Sequence, residues 1–209
     1  MGPITILLVI ILGALLIMVL KKLFERQPAP PPPPQQDLSR LSIADARVGD
    51  SISISGGGDN YSDLDFTADR HTGYEAGENR WFELSGTYKE RRVALDVRNN
   101  DELEVRGFLD GKKYTIEELG LSEDDLAQID QRQNTADNFE WDGKNWYFLL
   151  SREMGAFRDG APEGKGFYGW EFRSEDGQRY LYVRKREGEP FSAAVAVQLN
   201  PADITVLRP

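Results

Sequence analysis

Few residues of this chain combine the types and the spacing that catalysis requires. There is no cysteine and there is a single histidine, His71. A Ser-His-Asp triad would therefore depend on His71 alone, and no Gly-x-Ser-x-Gly turn supplies a nucleophile. His71 lies in the polar run 69–73, which is typical of a loop. We expect a surface histidine rather than a catalytic base.

Two stretches could hold a cation or a phosphate. Asp59, Asp63 and Asp65 are spaced like oxygen ligands of a hard cation, but an EF-hand would also need its glycine and its terminal glutamate. The glycines at 56–58 lack the Lys-Ser or Lys-Thr that follows in a phosphate loop. A solvated turn and a hairpin loop explain both stretches, and one His without Cys excludes a structural zinc site.

Paired carboxylates could serve glycoside hydrolysis. Glu83, Glu171, Asp142 and Asp159 are candidates, but residues 37–209 contain 34 acids, so chance pairs are expected. We therefore predict no catalytic residue, no cofactor and no metal site, and we expect that the protein is not an enzyme.

The most unusual segment, 151–170, combines aromatic and basic residues with five glycines. Aromatic side chains beside arginines and flexible glycines are the composition of a recognition surface. The predicted partner-binding residues are Arg152, Phe157, Arg158 and Tyr168. The alternative is a long hairpin whose aromatic residues cap the core.

The elements that position these residues are predicted to be mainly β-strands, because short runs of β-branched and aromatic residues alternate with turn signals. Asp-Gly pairs at 110–111, 142–143, 159–160 and 176–177 suit tight hairpin turns. The helix 122–131 is predicted from an N-cap serine followed by acids. The predicted strands are 51–54, 65–68, 80–84, 93–97, 102–109, 113–116, 139–141, 145–151, 167–172, 179–184, 192–199 and 204–207.

Two parts of the domain show a short internal similarity, because an aromatic strand precedes an alternating strand in each. The matched runs are 80–84 with 145–149, and 93–97 with 180–183. This pattern predicts two similar antiparallel β-units, arranged as a sandwich or barrel-like, in the candidate sub-units 45–109 and 138–207. Chance similarity between β-meanders is the alternative.

Residues 1–26 contain an uncharged apolar run, 3–20, followed by Lys21, Lys22 and Arg26. A helix over that run would reach about 27 Å, close to the ~30 Å hydrocarbon core of a bilayer. A cleaved signal peptide would need a basic start and a small-residue cleavage site, and a buried core helix rarely stays apolar for so long. We predict a single-pass transmembrane helix in the inner (plasma) membrane, and the positive-inside rule places the C-terminal domain in the cytoplasm.

Residues 27–36 are rich in proline, which predicts a stiff polyproline II spacer. A docking site for a proline-recognising domain is the alternative. The following soluble β-rich domain, 37–209, has 22 basic and 34 acidic residues, a charge of about −12. Such a body repels phosphate backbones, so we expect no nucleic-acid binding.

The order of aromatic motifs over about 45–207 resembles a bacterial family described as "domain of unknown function 4178". The motifs lie at 46–50, 80–84 and 139–147, and most densely at 170–172, 180–183 and 203–206. The family's W-x-E pattern is present as Trp81-Phe82-Glu83. The resemblance implies a membrane-anchored member and a setting near membrane proteins, envelope-stress proteins and polyamine-synthesis-like enzymes. It implies no catalytic residue.

Two functions follow as hypotheses. The first is a membrane-tethered, non-enzymatic interaction or scaffold module that binds protein partners, in an envelope-stress or polyamine-linked system. The second is a sensor or binding domain for a small cationic ligand such as a polyamine, which carboxylates and aromatic rings could hold. An enzyme is the third and least favoured hypothesis.

Overall fold

The computed structural model describes residues 41–209, together with Gly2 and Met18. The predicted transmembrane helix and proline-rich spacer lie outside the described residues. Within the part that is described, no helix is long and apolar enough to cross a membrane.

Eleven strands and one α-helix form the described part, so the prediction of a mainly β fold with one short helix is confirmed. The helix is α1 (Glu123–Arg132). The strands are β1 (Ser51–Ile54), β2 (Leu64–Ala76), β3 (Asn79–Tyr88), β4 (Arg91–Asn99), β5 (Leu103–Phe108), β6 (Asn138–Trp141), β7 (Lys144–Arg158), β8 (Lys165–Ser174), β9 (Arg179–Lys185), β10 (Ser192–Leu199) and β11 (Ile204–Leu207).

All eleven strands belong to one antiparallel sheet, and eight of them close into a ring. The order is β2-β3-β4-β5-β10-β9-β8-β7, and the second half of β2 pairs with the end of β7 to complete the circle. Strand β1 extends the sheet from the first half of β2, and β6 extends it from the start of β7. The sheet is therefore closed rather than split into two facing sheets.

The ring consists of two four-stranded meanders, β2–β5 and β7–β10. They join at two antiparallel seams, β5 with β10 and β2 with β7. In this order β3 corresponds to β8 and β2 corresponds to β7. The predicted match of 80–84 with 145–149 is therefore wrong, because it equates β3 with β7.

Local turn chemistry explains the hairpins that the sequence predicts correctly. Asp142 and Gly143 both have positive φ, 53° and 67°, and they form the two-residue connection between β6 and β7. That pair of angles is the one that the right-handed twist of a hairpin prefers. Asp and Gly reach it at low steric cost.

The predicted strand 113–116 is wrong. After the Asp110-Gly111 turn only Tyr114 makes a bridge, to Ala193, and the position beside β5 is taken by β10. Segment 151–170 is mostly strand, because β7 ends at Arg158 and β8 begins at Lys165. The segment is therefore a hairpin of two long strands, which is compatible with both the recognition surface and the core cap.

Two apolar clusters cover the outer side of the ring. One joins β1, β11 and the 3-10 turn Ile43–Asp45 to β3, β4 and β5, through side chains such as Leu84 and Leu95. The other joins α1 and the segment before it to β7–β10, with Phe172 and Leu181 fully buried. Helix α1 begins after Ser122, whose hydroxyl and Asp125 form a capping box.

Candidate ligand-binding cavity inside the strand ring

The inner face of the ring carries buried charged side chains among two small aromatic clusters, whereas the two larger apolar clusters lie on the outer face. Along β3 and β4 the inner positions alternate with Leu84 and Leu95 and include Glu83 and Asp96. The same alternation places Glu171 on the inner face of β8. These side chains are inside because they contact strands on the opposite side of the ring.

Glu171 is the centre of this inner network. Arg98 donates two hydrogen bonds to its carboxylate, at 2.9 and 3.2 Å, and Arg106 donates one at 3.0 Å. Arg98 also donates to Asp96 at 2.9 Å, and Arg106 donates to the Tyr182 hydroxyl at 2.6 Å. Since β4 and β8 lie opposite each other in the ring, this network connects its two halves.

The network sets the ionisation of its acids. Burial by itself raises the pKa of the Glu171 carboxyl, but Arg98 and Arg106 outweigh burial and hold that pKa below its ordinary value. Burial raises the pKa of Glu83, and Arg184 at 3.9 Å opposes that shift only in part. Glu171 is therefore an ionised counter-ion that holds two arginines, which is a structural role rather than that of a general acid.

A cavity of about 230 Å³ opens on the same inner face, between β2–β5 and β9–β10. Tyr182 is buried, Glu83 and Arg184 are partly buried, and Lys112 and Lys113 lie exposed in the segment after β5. Its lining residues are Arg70, Glu83, Ser85, Arg92, Val93, Ala94, Phe108, Gly111, Lys112, Lys113, Tyr182, Arg184, Arg186, Ser192, Ala193 and Ala194.

The cavity is basic although the chain has a net charge of −10. Six lining residues are Lys or Arg and only Glu83 is acidic. Arg92 is held in place by Asp69, at 2.7 Å, and donates to the Ser85 hydroxyl at 2.7 Å. A cleft lined by one sign of charge between low-dielectric walls concentrates the opposite charge. The arrangement can bind a small anion.

The four residues that the sequence predicts as a partner site lie on both faces of the β7–β8 hairpin. The inner face holds Arg152, which sits opposite Gly169 with its guanidinium 5.5 Å from the Trp81 ring. Tyr168 is on the outer face and donates to Asp130 of α1 at 2.6 Å.

Phe157 shares one open depression with Tyr168, near Lys185. Arg158 is exposed at the end of β7, where it pairs with Thr72. The structure therefore brings Phe157 and Tyr168 together and separates Arg152 from them.

The other candidates for chemistry occupy structural positions. The ring of His71 stacks on Phe82 with centroids 5.0 Å apart. Lys89 and Arg91 neutralise Asp59, at 2.7 and 2.8 Å. Among the described residues, no group of three or more His, Cys, Asp or Glu could hold a metal ion.

The basic cavity was missed by sequence reasoning. Its cations come from β2, β4, β9 and the segment after β5, so no sequence motif or run of basic residues identifies them. Only Arg184 lies in a predicted strand, 179–184, whereas Arg70 and Arg92 lie just outside the predicted strands 65–68 and 93–97, so no sequence signal grouped these cations.

Comparison of the chain with family models, with curated proteins and with solved structures found no match. The resemblance to the "domain of unknown function 4178" family therefore stays a prediction. The functional argument depends on the geometry of the ring and its cavity.

Proposed function

We propose that this protein is a non-enzymatic binding module, tethered to a membrane by its N-terminal segment, whose ring cavity takes a small anionic ligand. The observation that carries the proposal is the excess of basic side chains around a cavity in an acidic chain. Because Glu83 is the single acid of the lining, an anion fits this cavity better than the polyamine expected from the composition.

The size of the cavity favours a small ligand. Pockets for drug-sized molecules usually enclose about 300–1,000 Å³, and this one encloses about 230 Å³. Phe108, Ala94 and Ala194 supply an apolar wall beside the cations. A compact ligand with one anionic end and a short carbon portion matches both features.

Thermal unfolding of the full chain in a non-ionic detergent tests the proposal, with citrate, sulfate and spermidine as probes at low salt. A ligand that binds the folded state raises the melting temperature. We expect citrate or sulfate to raise it and the Lys112→Gln/Lys113→Gln double variant to lose that rise. Lys165→Gln, an exposed lysine of β8 outside the lining, is the matched control.

A rise with spermidine alone would overturn the anion proposal and would favour the polyamine hypothesis. A rise with citrate that persists in the double variant would place the anion elsewhere on the chain.

The scaffold role predicted from the sequence remains a second proposal, supported by the open depression that Phe157 and Tyr168 share. Crosslinking in native membranes followed by purification tests it. We expect protein partners that Phe157→Ala loses. Arg173→Gln, at an exposed position of β8 outside the depression, is expected to keep them. Recovery of the chain alone would contradict the scaffold role.

The tether, the cytoplasmic orientation and the bacterial family resemblance belong to the same proposal and depend on residues 1–36 and on the motifs above. The equivalent places of the two meanders in the ring support the predicted relation between sub-units 45–109 and 138–207.

A further inference from the structure

The cations of the cavity are not all neutralised by the protein. Arg92 pairs with Asp69, Arg184 lies 3.9 Å from Glu83, and Arg186 lies 3.6 Å from Glu189. The other three basic lining residues have no salt bridge to any acid within residues 41–209. They are Arg70, Lys112 and Lys113.

This imbalance leaves an excess of about three positive charges around one cavity, by charge counting at neutral pH. A monoanion would leave most of that excess uncompensated. A ligand with two negative charges on one group compensates it better.

The directions of the cations indicate the shape of the anionic group. Arg70 lines the cavity from β2, and Arg186 lines it from the position after the end of β9. Lys112 and Lys113 line it from the segment after β5. A planar carboxylate is matched by one arginine that binds both of its oxygens. Cations that line one cavity from several strands can instead contact a tetrahedral group, whose three free oxygens point in different directions.

We propose that the ligand of this cavity is a phosphate monoester, whose dianionic phosphoryl group lies among Arg70, Lys112 and Lys113 and whose short carbon portion contacts Phe108. This inference rests on the proposed function, because it names the chemical class of the anion that the same cavity binds. Phosphate monoesters come from two sources: soluble metabolites and the headgroup of a membrane lipid such as phosphatidic acid.

Isothermal titration of the full chain in a non-ionic detergent at low salt tests this inference with glycerol 3-phosphate. The second pKa of a phosphate monoester is about 6, so the dianion fraction rises about fourfold between pH 5.5 and 7.5. We expect the affinity to rise by a similar factor. The double variant Lys112→Gln/Lys113→Gln is expected to lose about tenfold or more in affinity, and Lys165→Gln to stay within about twofold.

Sulfate is the control for changes in the protein, since it is a dianion at both pH values. Among the lining groups Glu83 is the carboxyl whose pKa burial raises, and the remaining titratable groups there are arginines, lysines and Tyr182. Ionisation of Glu83 with rising pH would weaken anion binding, so sulfate affinity is expected to stay constant or to fall. A rise for sulfate equal to that for glycerol 3-phosphate would overturn the inference.

The source of the monoester is decided by dihexanoyl phosphatidic acid, with dihexanoyl phosphatidylglycerol, a phosphodiester, as its control. Tighter binding of the phosphatidic acid than of glycerol 3-phosphate points to a lipid headgroup, and weaker binding points to a soluble metabolite. Succinate at pH 7.5 separates this inference from the proposed function. Binding of succinate in preference to both monoesters would overturn the phosphoryl inference and keep the anion site, whereas no binding of any anion would overturn both.

Discussion

Replacement of Glu171 by glutamine tests whether the inner network holds the two halves of the ring together. The Glu171 side chain is 2% exposed and accepts hydrogen bonds from Arg98 of β4 and Arg106 of β5. Glutamine keeps the shape of the side chain and removes its negative charge. The two guanidinium groups then lose the carboxylate that they share inside the ring.

The magnitude follows from what each arginine retains. Removing one partner of a buried ion pair costs about 3–5 kcal/mol. Arg98 keeps Asp96 at 2.9 Å, and Arg106 keeps Glu104 at 2.8 Å. We therefore expect the lower end, a loss of about 3 kcal/mol in the free energy of unfolding. With a urea dependence of about 2 kcal/mol per molar, the midpoint falls by about 1.5 M.

Tryptophan fluorescence during urea unfolding of the full chain measures this loss. The four tryptophans, at 81, 141, 146 and 170, all lie in strands of the sheet. Glu104→Gln is the matched control, because the Glu104 side chain is 34% exposed. Loss of its charge leaves the ion pair between Arg106 and Glu171 in place. The control is expected to lose less than about 1 kcal/mol. A midpoint for Glu171→Gln within about 0.3 M of the unchanged protein would refute the reasoning.

Three further predictions concern the ring and the elements that cover it. Gly86→Ala is expected to cost about 2 kcal/mol or more in urea unfolding, since its new Cβ would overlap the backbone oxygen of Thr67 in β2. Gly166→Ala, whose new Cβ would have nothing within 4 Å, is the control and is expected to stay within about 0.5 kcal/mol. Equal midpoints for the two would contradict this. Ser122→Ala removes the hydroxyl that caps α1 and is expected to cost about 1 kcal/mol, and an unchanged urea midpoint would disprove the role of the cap. Hydrogen bonds from Arg208 hold the pKa of Asp50 below its ordinary value. The stabilisation by Asp50 is therefore present above about pH 4 and is lost as the pH falls through the lowered pKa. Asp50→Asn should lower the melting temperature at pH 7, with a difference that shrinks towards pH 2; a constant difference would count against the pairing.

Much of the strand pattern could be predicted because it depends on neighbouring residues. The bounds predicted for Ser51–Ile54, Ser192–Leu199 and Ile204–Leu207 are those of β1, β10 and β11. Alternation of polar and apolar side chains is typical of a half-buried strand, and Asp-Gly pairs are typical of turns with positive φ. Both signals are complete within a few residues.

The choice of strand partners could not be predicted in the same way. The sequence favours a hairpin after Asp110-Gly111, but β5 pairs with β10, almost ninety residues later along the chain. Short strands have many partners of similar local quality, and the pairing that buries the most apolar surface decides among them.

The candidate site shows the same limit. The predicted partner-binding residues all belong to the segment 151–170, yet the alternation of β7 and β8 places Arg152 inside the ring and Tyr168 outside. The basic cavity joins side chains from Arg70 to Arg186, and a net charge of −10 conceals it.

Most of the strands, the capped helix, the tight turns and the acidic charge could be predicted without a structure, because each depends on composition or on residues close together in the chain. The closure of eight strands into a ring, the inward direction of Glu171 and its arginines, and the basic cavity were decided only by the tertiary structure. The physical reason is that closure turns one face of every strand towards the others. Charged side chains that would lie far apart on an open sheet then form ion pairs across the ring.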